Sequence, residues 1–187
     1  MPDEDYEFTP ASGLMQADEI VALAGIFVAQ GVDKIRLTGG EPLVRKDVAD
    51  IILRLSKLPV KLTMTTNGSR LHEFIDVLEQ ANIHSLNISL DTLQPDKFQL
   101  ITRRDQFEKV YQNIQLLLNR CFHVKVNMVV MKGLNDMEIN DFVEWTNDTP
   151  VHVRFIEFMP FAGNRWTNNK LFTLQEILQQ IKTKYEV

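Results

Sequence analysis

Ser85-Leu-Asn-Ile-Ser-Leu-Asp91 and His123-Val-Lys-Val-Asn-Met-Val-Val-Met131 share one pattern. Leu86, Ile88 and Leu90 alternate with Asn87, Ser89 and Asp91, and Val124, Val126 and Met128 alternate with Lys125 and Asn127. Successive side chains of a strand point to opposite faces, so each run reads as a strand with one apolar and one polar face. Three more runs keep the same phase: Lys34–Thr38 with Arg36 and Thr38, Val60–Thr65 with Lys61, Thr63 and Thr65, and His152–Met159 with Arg154.

Helical periodicity fills the gaps between these runs, over Asp18–Gln30, Asp47–Lys57, Glu73–Ala81, Phe107–Asn119, Glu138–Asn147 and Leu174–Lys184. Gly31 and Asn82 stand where left-handed helix caps belong, and Thr173-Leu-Gln-Glu176 is a capping box. Pro95 suits the first turn of a short extra helix over Pro95–Ile101. No linker or composition break divides the chain, so 1–187 reads as one domain. Alternating units of this kind build parallel sheets with right-handed crossovers. A closed eight-unit barrel typically takes about 250 residues. The expectation is an α/β fold, an incomplete parallel (βα) barrel, preferred here to an open doubly wound sheet.

Strands buried on both faces read as continuous apolar runs, and these do not. A polar face this continuous is hydrated or filled by a polar ligand. Its basic members are Arg36, Lys61, Lys125 and Arg154, against Asp91 as the acidic one in phase. The chain as a whole carries a net charge of −5. An acidic protein with a basic inner surface points to an anionic ligand such as a phosphate ester, and argues against general nucleic-acid binding.

Ligands of parallel α/β folds bind at the carboxyl ends of the strands. There the sequence places Thr38-Gly-Gly-Glu-Pro42, Thr65-Thr-Asn-Gly68, Ser89-Leu-Asp91, Met131-Lys-Gly-Leu-Asn-Asp136 and Glu157-Phe-Met-Pro160. Adjacent glycines let backbone amides and carbonyls approach a ligand without a Cβ in the way. Asp91 is expected as a hydrogen-bond anchor and Glu157 as the partner of a nearby base, with acid/base work by the two as the alternative. Trp166 is a candidate lid aromatic.

Leu37-Thr-Gly-Gly-Glu-Pro42 resembles the glycine motif of radical S-adenosylmethionine (SAM) enzymes. Together with Ile35–Arg45, Thr65–Gly68, Asn87–Asp91, Val124–Asn127 and Arg154-Phe-Ile-Glu-Phe-Met159, it resembles the GTP 3′,8-cyclase (MoaA) family, which opens molybdenum-cofactor biosynthesis. The resemblance spans essentially the whole chain. It implies a barrel of the radical SAM type and a radical cyclisation that abstracts hydrogen from the GTP ribose and closes a ring onto guanine. It implies SAM contacts at Gly40, Glu41, Ser89 and Met159, and GTP contacts at Arg36, Thr65, Lys125 and Arg154. Lys61 matches no family contact and reads as a solvated strand-end lysine.

The family holds a 4Fe–4S cluster on a C-x3-C-x2-C loop whose last cysteine precedes Met-Pro, and a second cluster near its C-terminus. This chain opens with Met1-Pro2 and has one cysteine, Cys121. The expectation is therefore a core fragment truncated at both ends, without cluster ligands and without activity by itself. The alternatives are a non-catalytic nucleotide-binding remnant and a different radical SAM enzyme. Cys121 is expected as a small buried apolar residue at the amino end of its strand. His84, His123 and His152 each begin a strand and are expected on a solvated rim, a metal site being the remoter alternative. No stretch of about 18 apolar residues occurs, so no membrane span is expected. The acidic start is unlike a secretory or transit segment, and a reducing compartment, cytoplasm or mitochondrial matrix, is expected. The resemblance also allows a homodimer of the complete protein.

Overall fold

The computed structural model describes residues 9–10, 13–159 and 170–186. Along the chain come α1 (Ala17–Ala29), β1 (Lys34–Leu37), α2 (Val48–Leu55), β2 (Lys61–Thr66), α3 (Leu71–Gln80), β3 (Ser85–Ser89), α4 (Pro95–Thr102), α5 (Phe107–Asn119), β4 (His123–Val130), α6 (Ile139–Asp148), β5 (Val151–Glu157) and α7 (Leu174–Lys182). The five strands form one parallel sheet in the order β1-β2-β3-β4-β5. A doubly wound sheet reverses its strand order at a switch point, whereas a βα barrel runs in sequence order. The sequential order is that of an incomplete barrel.

The register keeps one phase across the sheet. Leu37 pairs with Met64, Met64 with Leu86, Leu86 with Val124 and Val124 with Val151. These residues belong to one core with Ile52 and Leu55 of α2, Leu71 and Leu78 of α3, Ile114 of α5 and Phe142 of α6. A fully buried Leu, Ile or Phe side chain contributes about 1.5–3 kcal/mol in transfer free energy. The apolar face of the sheet is thereby covered with helices. Phe142 sits edge-on to Phe155 of β5 and to Trp145, continuing the same layer.

Three helix-to-strand turns are built alike. Gly31, Asn82 and Cys121 hold positive φ of 93°, 55° and 59°. In each turn the next amide reaches five residues back: Val32 to the Phe27 carbonyl, Ile83 to Leu78 and Phe122 to Leu117. These are Schellman caps, in which an apolar residue after the left-handed position packs back on the helix. Phe122 takes that buried position. Cys121 is consequently turned outward and exposed, which corrects the expectation of a buried cysteine. The expected element boundaries hold within two residues, and Leu174 follows Thr173, whose hydroxyl accepts from the Glu176 amide.

Gly68 shows the closest packing of the glycines in the strand-end loops. Its φ is +79°, and a Cβ there would lie 3.0 Å from Ile88 Cγ2 and 3.2 Å from Val110 Cγ1. The buried Asn113 of α5 donates from Nδ2 to the Gly68 carbonyl at 2.7 Å. Gly68→Ala is expected to destabilise the fold by about 1–3 kcal/mol through backbone strain and overpacking, measured as a lowered midpoint of urea unfolding with unchanged slope. Among the described residues β1 pairs with β2 alone, and Ile26 and Phe27 of α1 are 61 % and 52 % exposed. An unpaired strand edge beside exposed apolar surface favours association. The 187-residue chain is expected to self-associate in light scattering; a monodisperse monomer with a sharp calorimetric transition would contradict this.

Candidate functional site

The polar face of the sheet is organised in rows by the strand register. Ser89, Asn127 and Arg154 form the row nearest the carboxyl ends. Thr65, Asn87, Lys125 and His152 form the next. Below them Arg36 pairs with Thr63, and Ser85 pairs with His123. The polar residues of these rows thus lie beside one another on the same face. Thr63 and Asn87 are covered by their neighbours, at 2 % and 6 % exposure. Arg36, Lys61, Ser89 and Arg154 stay exposed, and Lys125 is half-buried.

The four residues expected to hold GTP come together here. Arg36 donates from Nη1 to Thr65 Oγ1 at 3.2 Å. Lys125 is pushed below the usual lysine range, first by burial and then by the charges of Arg154, Lys34, Arg36 and Lys61. Among the described residues none of Arg36, Lys61, Lys125 and Arg154 has an acidic partner. Like charges this close repel, and an anion between them removes the repulsion. Burial holds the Asp91 carboxyl above its usual range, against the stabilising bond from the Val129 amide at 2.8 Å. Asp91 is therefore an anchor between β3 and β4. Among the described residues Glu157 has no basic partner; its carboxylate accepts from the Leu174 amide at the start of α7. This bond ties the Glu157 carboxylate to α7, whereas Asp91 is tied to β4.

The residues expected to hold SAM line the carboxyl ends. A Cβ at Gly39 or Gly40 would meet nothing within 4 Å, so this turn presents open backbone. The Glu41 side chain faces away from that opening. It accepts from the Leu43 amide at 3.0 Å, Thr66 Oγ1 at 2.7 Å and the Asn67 amide at 2.6 Å. Its carboxylate is a clip between the loops after β1 and β2, while its backbone stays with the glycine turn. Ser89 is exposed at the end of β3, and Met159, two residues beyond β5, is 69 % exposed. Beside Ser89, the buried Asn127 Oδ1 accepts no hydrogen bond among the described residues. A buried acceptor of this kind beside Ser89, at the same end of the sheet as the open backbone turn, fits a polar, hydroxyl-bearing ligand such as SAM.

Two supporting residues gave no local signal in the sequence. Asn135 is fully buried; its Nδ2 donates to the Asp91 and Val129 carbonyls at 2.7 Å and 2.9 Å, and its Oδ1 accepts from the Met131 amide at 2.7 Å. Glu138, 1 % exposed, accepts from Thr92 Oγ1, the Leu93 amide and Lys97 Nζ. Together they fix the loops after β3 and β4. Trp166 lies outside the described residues.

His84, His123 and His152 are exposed at the amino ends of their strands, with the His123 and His152 rings 4.5 Å apart. The described residues contain no cluster of His, Cys, Asp and Glu that could hold a metal. The single cysteine, Cys121, cannot supply the three thiolates of an iron–sulfur cluster. The residues of this chain thus fit SAM and do not fit the cluster. No helix among the described residues is long and apolar enough to cross a membrane.

Known proteins resemble this chain in sequence and in fold. The model of the radical SAM superfamily matches residues 3–146. The chain is 50 % identical over 188 residues to "GTP 3′,8-cyclase, mitochondrial" of Arabidopsis thaliana, covering 99 % of this chain and 48 % of that protein. It is 39 % identical over 193 residues to "GTP 3′,8-cyclase" of Listeria welshimeri, covering 100 % of this chain and 58 % of that protein. The chain thus spans about half the length of these relatives. A solved structure of anSMEcpe with bound AdoMet superposes with a TM-score of 0.74 at 15 % identity, over 97 % of this chain and 51 % of that one, a likeness of fold. The glycine turn, the in-phase polar face and the match over residues 3–146 have one common meaning: the chain belongs to the radical SAM superfamily.

Proposed function

We propose that this chain is part of the core domain of a GTP 3′,8-cyclase, and that its polar sheet face binds SAM and GTP side by side. The observation that carries the proposal is the cationic group of Arg36, Lys125 and Arg154, without acidic partners among the described residues, next to the open turn at Gly39–Gly40. The 50 % identity to a protein named as this cyclase supports the choice of substrate. SAM, bound in an enzyme of this superfamily, supplies hydrogen-atom abstraction.

The residues divide the work by position. The backbone at Gly40 and Glu41 offers carbonyls and amides to the ammonium and carboxylate of SAM. Ser89 and the Asn127 oxygen accept from its hydroxyls, and Met159 lies on the adenine side. Glu41 holds the β1 and β2 loops at a fixed separation, so the glycine turn is shaped before the ligand arrives. Arg36, Lys125 and Arg154 neutralise the phosphates of GTP, and Thr65, held by Arg36, donates its hydroxyl. The cluster that completes SAM chemistry has no ligands in this chain, and no step is assigned to it. The compartment we infer is the cytoplasm or the mitochondrial matrix; the single cysteine and the mitochondrial name of the Arabidopsis relative support it.

Lys125→Ala is expected to weaken GTP binding by roughly 10- to 100-fold, the loss of a charge-assisted hydrogen bond, in isothermal titration calorimetry, with SAM binding unchanged. GTP affinity of the native chain should fall as pH rises, and should do so below the ordinary lysine range. The sign follows from Lys125: burial and neighbouring cations favour its neutral form, and only the protonated form attracts phosphate. GTP affinity that is unaffected by Lys125→Ala would sink the assignment.

A further inference from the structure

Packing does little to shape the Gly39–Gly40 turn. Gly39 has a φ of +144°, and a Cβ at either glycine would meet nothing within 4 Å. The path of the turn is set by the stretch that follows it, which winds into a 3₁₀ turn over Pro42–Val44. Towards β2 and α3 this stretch is tied twice. Glu41 accepts from Thr66 Oγ1 and the Asn67 amide, and Arg70 donates from Nη1 to the Leu43 carbonyl at 2.6 Å. Towards α1 it is tied by Arg45, whose Nη2 donates to the Met15 carbonyl at 2.9 Å, in the segment that leads into α1.

The partner of Arg45 is used in an uncommon way. Asp47 immediately precedes α2, where a carboxylate ordinarily accepts from the free amides of the first helical turn. Asp47 makes no such bond. Both its oxygens go to Arg45 instead, Nε reaching Oδ1 at 2.6 Å and Nη2 reaching Oδ2 at 3.0 Å. A two-point pair of this kind fixes the plane of the guanidinium. It leaves the second N–H of Nη2 aimed at Met15. The pair lies near the surface, where an ion pair adds little stability. A helix cap is thus given up for a bond whose main product is orientation.

We propose that Arg45 is a positioning residue for SAM: held flat by Asp47, it braces the loop behind the Gly39–Gly40 turn against residues 13–16 and couples the two. The inference rests on the assignment of this turn to SAM. Arg45 acts through the backbone and does not touch SAM itself. By fixing the loop behind the turn, it presents the Gly40 and Glu41 backbone groups at the spacing that the ammonium and carboxylate of SAM need. Preorganisation raises affinity by reducing the ordering that binding must impose. Such coupling is reciprocal, so SAM that steadies the turn also steadies the segment before α1.

The test combines SAM titration calorimetry, urea unfolding and hydrogen exchange on the 187-residue chain and its variants. Arg45→Met and Asp47→Ser should each weaken SAM binding by roughly fivefold or more. The double variant should bind no worse than Arg45→Met, because both changes remove one brace. Serine is too short to fix the guanidinium but is able to cap α2, so Asp47→Ser should keep its unfolding midpoint while losing affinity. Arg54→Gln breaks the other link between α1 and α2, the 2.6 Å bond to Asp18, and should leave SAM affinity unchanged. In the native chain SAM should slow hydrogen exchange over residues 13–19, and in Arg45→Met and Asp47→Ser it should not. Unchanged affinity in both variants, an equal loss in Arg54→Gln, a loss in Asp47→Ser that follows a lowered midpoint, or slowing that persists in the variants would each overturn the brace while SAM binding stands. A native chain that binds no SAM would overturn the assignment of the turn and the brace with it, so the two failures are told apart.

Discussion

Everything in this molecule depends on five parallel strands being paired in one phase. Lys125 is level with Asn87 on one side and His152 on the other, and Val124 with Leu86 and Val151. A slip of one residue on a single strand would carry its polar set under the helices and its apolar set into the ligand face. The penalty is severe because Lys125 or Arg154 would lose water without gaining a partner. The apolar core enforces the phase, and the charged face follows as its consequence.

That face is electrostatically unfinished. Arg45, Arg54, Arg70, Arg120 and Lys132, on the outside, all have carboxylate partners. The cations of the sheet face have none among the described residues, and they depress the proton affinity of Lys125 and His123. Surface pairs of the first kind add little stability, typically under about 1 kcal/mol. The unpaired group inside works against stability and toward binding. A site that concentrates like charge is preorganised for an anion, because the repulsion it carries when empty is released on binding.

The loop ends are held by a different device. Side chains that bond to backbone atoms of two loops at once, the half-buried Glu41 between β1 and β2 and the buried Asn135 between β3 and β4, fix the spacing at the carboxyl ends. Glu138 does the same for the loop leading to α4, with Lys97 balancing its charge. None of these groups faces the ligand with its side chain. They hold the glycine turn and the Ser89 end in place while leaving their surfaces bare.

The alternation in Ser85–Asp91 and His123–Met131 was enough to identify the strands, their polar face and the sequential βα order, because side-chain parity is a local property of an extended chain. The left-handed caps at Gly31 and Asn82 were equally local. Cys121 misled, since the Schellman turn it occupies is set by Phe122 packing back on α5. The roles of Glu41, Asn135 and Glu157 were beyond local pattern, as each bonds to atoms 17 to 44 residues away. By itself, then, the sequence determined the kind of fold, the residues on its polar face and their charge, because these depend on periodicity and residue type. Only the tertiary structure decided which cations share a row, which carboxylates are consumed as clips and that two strand-start histidines touch. Those outcomes depend on register and on contacts between distant segments, which no single stretch of chain encodes.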